Sequence, residues 1–563
     1  MEMYSTLAFS PSAWPEPMES VYQALPASGP VPRNARRRDI RLGDRLFMGA
    51  VLAIPRRWRY GAVTWLADVY CTSRQTVYDI AGNVHGAVGH APAAAPAEVP
   101  PATTPIKDEA APITHNQLAR AALTLRFPGG TSLRPMETCL EELLGTARSP
   151  AWLSIFLSEA GERAGRVLDE ADWSAVKPFI ATRDEKFFHD RAYLLTVEPQ
   201  SMAVVSGHVE DGVDGDRWAV SLALDQDRID HAIIGLAEDA AKWYPSSLTE
   251  AAALLDTPHL MPVQKDVFHV LARARQTLTD LERTALKKLA TAEKKATRHK
   301  SGMWLIRKGQ FDSWEAAHAA ADAALDRAQA LHVWVDCLHD AFEVVELGSG
   351  AIRDAETATW YLEQILSALE TIDDQRVRSL AGYIRHEQHQ LFTFLEWLDV
   401  GLAPWRQSAA EHFGDPDLAL LFERAVARTW RRHQGVTNGQ GNLRRAARLA
   451  QAEVDRLCHH DGRARRLALE LTALLEVVVR TSSASECFNS LLAHFLWTKR
   501  SFPDRLSAQR FLNLLILWHC MRPFQRGKRK DFSPFQLAGV RVFDPDGNET
   551  DDWMTALGYP AAA

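Results

Sequence analysis

The chain has 563 residues, 46% of them hydrophobic, and a formal net charge of −7. That length exceeds one ordinary domain and predicts roughly three or four, each with enough apolar residues for a core. No run of about eighteen apolar residues occurs, which excludes a membrane-spanning helix. The N-terminus has no basic region followed by an apolar one, so no secretion signal is expected and the chain reads as cytoplasmic. The six cysteines are scattered without a C-x-x-C pair, which argues against a zinc knuckle or a disulfide framework. The acidic total hides basic clusters at residues 33–45, 56–59, 431–466 and 499–530. Grouped in this way, basic residues can still bind a polyanion.

In chain order, residues 1–38 are rich in Pro, Ser and Ala and read as a flexible N-terminus. Residues 39–84 change character. Leu42, Leu46 and Phe47 predict one helix, and Ala62 to Tyr70 a second. Cys71 and Thr72 supply a turn, and Ser73 is a good N-cap for a helix carrying Arg74, Gln75, Thr76 and Tyr78, with Val77 and Ile80 facing inward. This is a helix-turn-helix pattern, whose second helix would enter a DNA major groove. Any small helical pair on a core has the same periodicity. Residues 85–112 form an Ala/Pro-rich linker. Residues 113–172 are helical again, with Ser149 as N-cap and Pro150 at the first helical position. They form either a second helix-turn-helix or a subdomain that packs on the next domain and orients it.

Strand character is confined to residues 173–263. Strands are expected at 179–188, 193–198, 202–209 and 231–238, with a helix at 218–224. Asp184 falls within the first strand and Asp239 at the end of the fourth. From Phe268 to about Val479 the periodicity is helical, including a charged stretch at 281–300 that fits a helical hairpin or coiled coil. Seven tryptophans recur there, mostly core residues, though one or two could stack on an unpaired base. The segment 431–445 reads as a basic loop for phosphate contacts.

The stretch 481–540 carries the most specific pattern. Phe488, Leu491, Leu492 and Phe495 give a helix one apolar face, and Glu486, Asn489 and Ser490 share another. Ser483-x-x-Glu486 also fits a capping box, in which the Glu merely returns to the helix start. A basic run follows, ending in Arg526, Lys528, Arg529 and Lys530. A carboxylate on a rigid helix beside a phosphate-attracting surface suggests chemistry on a nucleic-acid backbone.

The ordered series S-x-x-x-E-x-x-N-S-x-L, R-P-F-x-R-G-K-R-K and S-P-x-x-L-A-G resembles the C-terminal end of prokaryotic insertion-sequence DDE transposases. R-D-E-x-F-F at 183–188 resembles the segment holding their first Asp. The resemblance implies a mostly α chain with one α/β domain. An RNase H-like core spans 173–270 and 480–540, an all-helical insertion fills 271–479, and 541–563 is a C-terminal tail. It implies that Asp184, Asp239 and Glu486 hold two Mg²⁺ or Mn²⁺ ions. Family members more often carry Ser/Thr-Asp-Gly where this chain has Glu238-Asp239-Ala240. Asp266 and His269 match a C/D-x-x-H motif found in several DDE groups, which gives His269 a supporting catalytic role; a surface helix capped by Asp266 would look the same. The implied function is transposon-end cleavage and strand transfer on double-stranded DNA, in a homodimer or larger synapse, within a bacterial cytoplasm at the nucleoid. The alternative is an inactive or repurposed DNA-binding derivative.

Overall fold

The computed structural model describes residues 113–561 apart from 240, 242, 257–260, 301–307, 438–440, 498 and 500, together with Leu66, Val77 and Tyr78. The chain divides into two units, residues 1–111 with 434–442, and residues 112–433 with 443–563. In the first, Val77 is buried and Tyr78 is 51% exposed, the sidedness expected of that helix. Ser73, Arg74, Gln75, Thr76 and the linker lie outside the described residues. The second unit holds the sheet.

Three helices open it: α1 (His115–Arg126), α2 (Leu133–Leu144) and α3 (Pro150–Asp169). Thr114 and Gln117 form a capping box on α1. The Ser149 hydroxyl accepts from the Trp152 N–H, and Pro150 takes the first helical position as the sequence predicts.

The sheet comes next: β1 (Phe179–Phe188), β2 (Arg191–Glu198), β3 (Ala203–Glu210), α4 (Gly215–Arg228), β4 (Ile233–Glu238), α5 (Tyr244–Leu254) and β5 (Val263–Lys265). The strand order is β3-β2-β1-β4-β5. β2 runs antiparallel to both β1 and β3, whereas β4 is parallel to both β1 and β5. The expected strands are all present within two residues. β5 and α5 are additional.

An all-helical body follows: α6 (Val267–Lys300), α7 (Lys308–Ala341), α8 (Ala355–Glu370), α9 (Gln375–Glu387), α10 (Thr393–Phe413), α11 (Pro416–Thr437), α12 (Arg444–Leu457) and α13 (Gly462–Glu476). The two 34-residue helices α6 and α7 pack along each other. The body has its own core around Leu338, Leu362, Leu380 and Phe422. Residues 431–437 and 444–445 of the expected basic loop are α-helix. Within it Arg431 pairs with Glu343 at 2.8 Å and Arg432 donates to the Ala446 carbonyl at 3.1 Å.

The chain then returns to the sheet with α14 (Ser483–Leu496), α15 (Arg505–Met521), α16 (Pro534–Ala538) and α17 (Trp553–Ala556). The body closes on itself where it leaves the sheet, because the Val267 N–H donates to the Arg480 carbonyl at 3.2 Å. α14 packs on β1 and β2, and α15 on β3 and α3. The α3–α15 approach needs glycine: a Cβ at Gly161 would run into the Arg510 carbonyl. α1–α3 thus share one core with the sheet and α15, which favours the packing subdomain among the two expectations for 113–172. The stretch read as a tail is also part of that core. Trp553, Leu557 and Tyr559 are buried, and residue 541 pairs with Asp172 through two backbone hydrogen bonds of 2.9 and 3.0 Å. Among the described residues no helix is long and apolar enough to cross a membrane.

Candidate active site

Sheet register sets the site. On β1, β4 and β5, Thr182 pairs with Ala237 and Ala237 with Gln264; Glu238 pairs in turn with Lys265. One residue beyond the last of these pairs, the three strands bring Asp184, Asp239 and Asp266 to one row. Successive side chains on a strand point to opposite faces. The rows at 183/238/265 and 184/239/266 therefore serve different faces of the sheet.

The first row is a buried ion cluster. Arg183 and Glu238, each 1% exposed, meet at 2.6 Å, and Lys265 Nζ lies 3.1 Å from Glu238. The Arg183 guanidinium also stacks over Tyr244, with its Cζ 4.4 Å from the ring centroid. Glu238 is thus consumed between two cations and is no substitute for Asp239. Glu185 points the same way and accepts a 2.8 Å hydrogen bond from the Tyr244 hydroxyl. Burial pushes its carboxyl up to about 7.

The second row faces α14. Ser485 donates to Thr182 Oγ1 at 2.6 Å, and Asn489, one turn on, donates to Asp184 Oδ2 at 2.7 Å. Residues four apart on a helix lie on one face, so the pair pins α14 across β1. Asn489 Oδ1 is buried with no partner. Glu486 sits one residue past Ser485. The capping box does not form: the N-cap is Ser482, and its hydroxyl donates to Asp266 Oδ2 at 2.5 Å instead.

His269, in the first turn of α6, bridges the row to α14. Its Nδ1 lies 3.0 Å from Asp266 Oδ2 and its Nε2 3.6 Å from Glu486 Oε1. Among the described residues, Asp266, His269 and Glu486 form the one group whose ligand atoms all lie within 4.8 Å of one another. Asp266 is nevertheless a poor ligand. Its Oδ2 takes the Ser482 N–H, the Ser482 hydroxyl and His269, and its Oδ1 takes the Phe268 N–H at 2.6 Å. Burial alone would raise the Asp266 carboxyl; the hydrogen bonds from His269 and Ser482 outweigh it and bring it below the usual range. The same Asp266 bond lifts His269 to about 9, so the ring is a cation at neutral pH. Asp266 and His269 read best as a device that positions Glu486.

The other three carboxyls of the site, unlike Asp266, are raised. Burial drives Asp184 up to about 6, and the charges of Asp239 and Glu486 add to it. Burial likewise raises Asp239 and Glu486. Three raised carboxyls on one side of the site, plus the orphaned oxygen of Asn489, have the chemistry that suits a hard divalent cation. The ligand atoms of Asp184, Asp239 and Glu486 do not all lie within 4.8 Å of one another, and both Asp184 oxygens accept protein hydrogen bonds, from the Glu185 N–H and from Asn489.

Of the basic residues at 526–530, Arg526, Lys528 and Lys530 are exposed. Lys528 lies 3.6 Å from Glu476 and Lys530 3.5 Å from Asp531. Arg529 differs, because it donates to the carbonyls of Gln200 at 2.8 Å and Pro199 at 3.0 Å, clamping the β2–β3 turn. The S-P-x-x-L-A-G motif is a short helix with a Ser533–Gln536 capping box and Gly539 in the left-handed C-cap conformation. Two site neighbours carry no sequence signal: Tyr383 on α9, whose hydroxyl is raised by burial and then by nearby acids including Asp239, and Arg273, stacked 4.1 Å over it.

Comparison with protein-family models and with curated proteins finds no match.

Proposed function

We propose that the chain is a metal-dependent DNA strand-cleavage and strand-transfer enzyme of the DDE transposase type, with Asp184, Asp239 and Glu486 as the metal-binding carboxylates. The observation that carries this reading is the acid row. Asp184 on β1 and Asp239 just past β4 lie on neighbouring parallel strands, and Glu486 reaches the same face from a helix pinned to β1. The strand order, with three antiparallel strands followed by two parallel ones, supports an RNase H-like core. Asp184, Asp239 and Glu486 would hold the divalent metal, whose chemistry would be to activate the attacking oxygen and stabilise the leaving one. The chain's own residues do the rest. Asn489 orients Asp184, His269 holds Glu486 and balances the acids before loading, and Asp266 with Ser482 fixes His269. Arg526, Lys528 and Lys530 offer exposed charge for DNA phosphates. Transposon ends and target DNA are the proposed substrates, handled by a dimer or larger synapse.

A second reading, a DNA-binding derivative without catalysis, is favoured by one observation: the ligand atoms of Asp184, Asp239 and Glu486 do not converge within 4.8 Å as a group, whereas those of Asp266, His269 and Glu486 do. One experiment separates the two. Nicking of the chain's own flanking DNA is measured with Mg²⁺ or Mn²⁺ for wild type and for Asp184→Ala, Asp239→Ala and Glu486→Ala. The enzyme reading expects wild type to cut and all three variants to bind without cutting. Binding by wild type with no cutting would leave the derivative reading.

A further inference from the structure

A cavity of about 480 Å³ opens between α1, the start of α2, α3 and the α14–α15 connection. Two cations lie in its wall. Arg126 is 3% exposed, and its Nη1 donates to the Thr131 carbonyl at 3.0 Å. Lys499 is half-buried, with Nζ 4.3 Å from the ring centroids of both Phe502 and Phe511. The Arg126 Cζ lies 5.5 Å from the Phe511 centroid, so the two cations share one ring. Like charges this close repel. Burial lowers both, Lys499 to about 7, with Arg126 adding to the effect. Among the described residues neither has a carboxylate in salt-bridge reach. Two acids on the surrounding helices are already engaged: Glu162 on α3 pairs with Arg510 at 2.6 Å, and Asp504 caps α15 through the Ser507 N–H at 2.6 Å.

The start of α2 makes the third wall. Ser132 occupies the N-cap position with extended backbone, yet its hydroxyl makes no capping bond. Pro135 has no N–H, so the Leu133 and Arg134 N–H groups of this 12-residue helix are the ones left without a side-chain acceptor, and such a terminus favours an anion. Exposed hydroxyls of Ser132, Ser154 and Ser501 line the rim. One buried and one half-buried cation without a carboxylate partner, an uncapped helix start and several hydroxyl donors share one complement, a compact anion that accepts many hydrogen bonds.

We propose that this pocket is an anion site that takes a phosphate group. Phosphate matches the donors better than a carboxylate, because its oxygens can meet Arg126, Lys499 and the helix N–H groups together. The cavity exceeds a bare phosphate ion and leaves room for what is esterified to it. A free phosphate and a nucleic-acid backbone share this chemistry. The site is separate from the acid row: α14 carries Glu486 in its first turn, and Lys499 follows its last, thirteen residues or about 20 Å further along. The inference therefore stands whether or not the chain cleaves DNA.

The test is calorimetric titration of the full chain with inorganic phosphate, with the dinucleoside phosphate dTpdT and with thymidine. At least one phosphate-bearing probe should bind and thymidine should not. Binding of phosphate alone identifies the free ion as the source; binding of dTpdT identifies a backbone. Lys499→Met should weaken binding at least tenfold, while Lys287→Met, on the exposed side of α6, should not. Lys499→Met replaces a half-buried amine by an apolar chain of similar length, so it should fold; Arg126→Gln serves as a second variant, checked for folding by near-UV circular dichroism. The proposal fails if neither phosphate-bearing probe binds at millimolar concentration, or if folded Lys499→Met and Arg126→Gln bind as wild type does.

Discussion

At the scale of single residues, Asn489 acts on the acid row through its hydrogen bond to Asp184. Its amide holds Asp184 at 2.7 Å while burial raises that carboxyl. Asn489→Ala should therefore reduce metal-dependent nicking roughly 10- to 100-fold, the usual cost of losing a partner behind a ligand. Its urea midpoint should shift little, because Ser485 still ties α14 to Thr182. Lys499 gives a pH signature. Its folded value, about 7, lies below the roughly 10.4 of an unfolded lysine. Between these values the unfolded chain binds more protons than the folded one, so stability rises with pH across that window. Urea unfolding at intervals from pH 7 to 10 should show this rise in wild type and a flatter profile in Lys499→Met. An unchanged profile would mean the amine is solvated.

At the scale of elements, the sequence was most legible where chemistry is local. Ser149-Pro150 marked the start of α3, and the strand expected at 179–188 is β1 to the residue. β5 could not be read, because three residues carry no periodicity and its pairing with β4 is tertiary. The capping-box alternative at Ser483 does not hold, because the helix starts one residue early: Ser482 is the N-cap, Ser483 lies inside the helix, and the Ser482 hydroxyl donates to Asp266, 216 residues away. Asp266 and His269 were visible through their three-residue spacing, but the protonation of the ring depends on the hydrogen bond to Asp266 outweighing burial, which only the fold decides. Arg183, Glu238 and Lys265 were legible as charges and illegible as a cluster. The α3–α15 packing was invisible until both helices were placed, and it yields a prediction. Gly161→Leu should push the helices apart and destabilise the fold by about 1–3 kcal/mol, measured by urea unfolding. A neutral result would mean that α3 can shift along α15 without loss.

At the scale of the whole molecule, the sheet domain is completed by residues from both ends of the second unit. The stretch after Val540 buries Trp553, Leu557 and Tyr559, and Arg120 pairs with Asp552 at 2.6 Å. Burying three such side chains contributes roughly 1.5–3 kcal/mol each, comparable in sum to the stability of an ordinary domain. Truncation after Val540 should accordingly give a chain that is insoluble or lacks a cooperative thermal transition; a truncated chain melting near wild type would assign those contacts little weight. The helical body is a different case, since it leaves and rejoins the sheet at adjacent backbone positions, Val267 and Arg480. That neck has a consequence in time. About 250 residues separate Asp239 from Glu486, and a ribosome adding roughly 5–20 residues per second needs about 12–50 s to make them. Through most of that interval the five strands have been made, while the helices that cover them, α14 and α15, are not yet complete. The nascent chain must keep an apolar sheet face from meeting its neighbours on the polysome until its last eighty residues arrive.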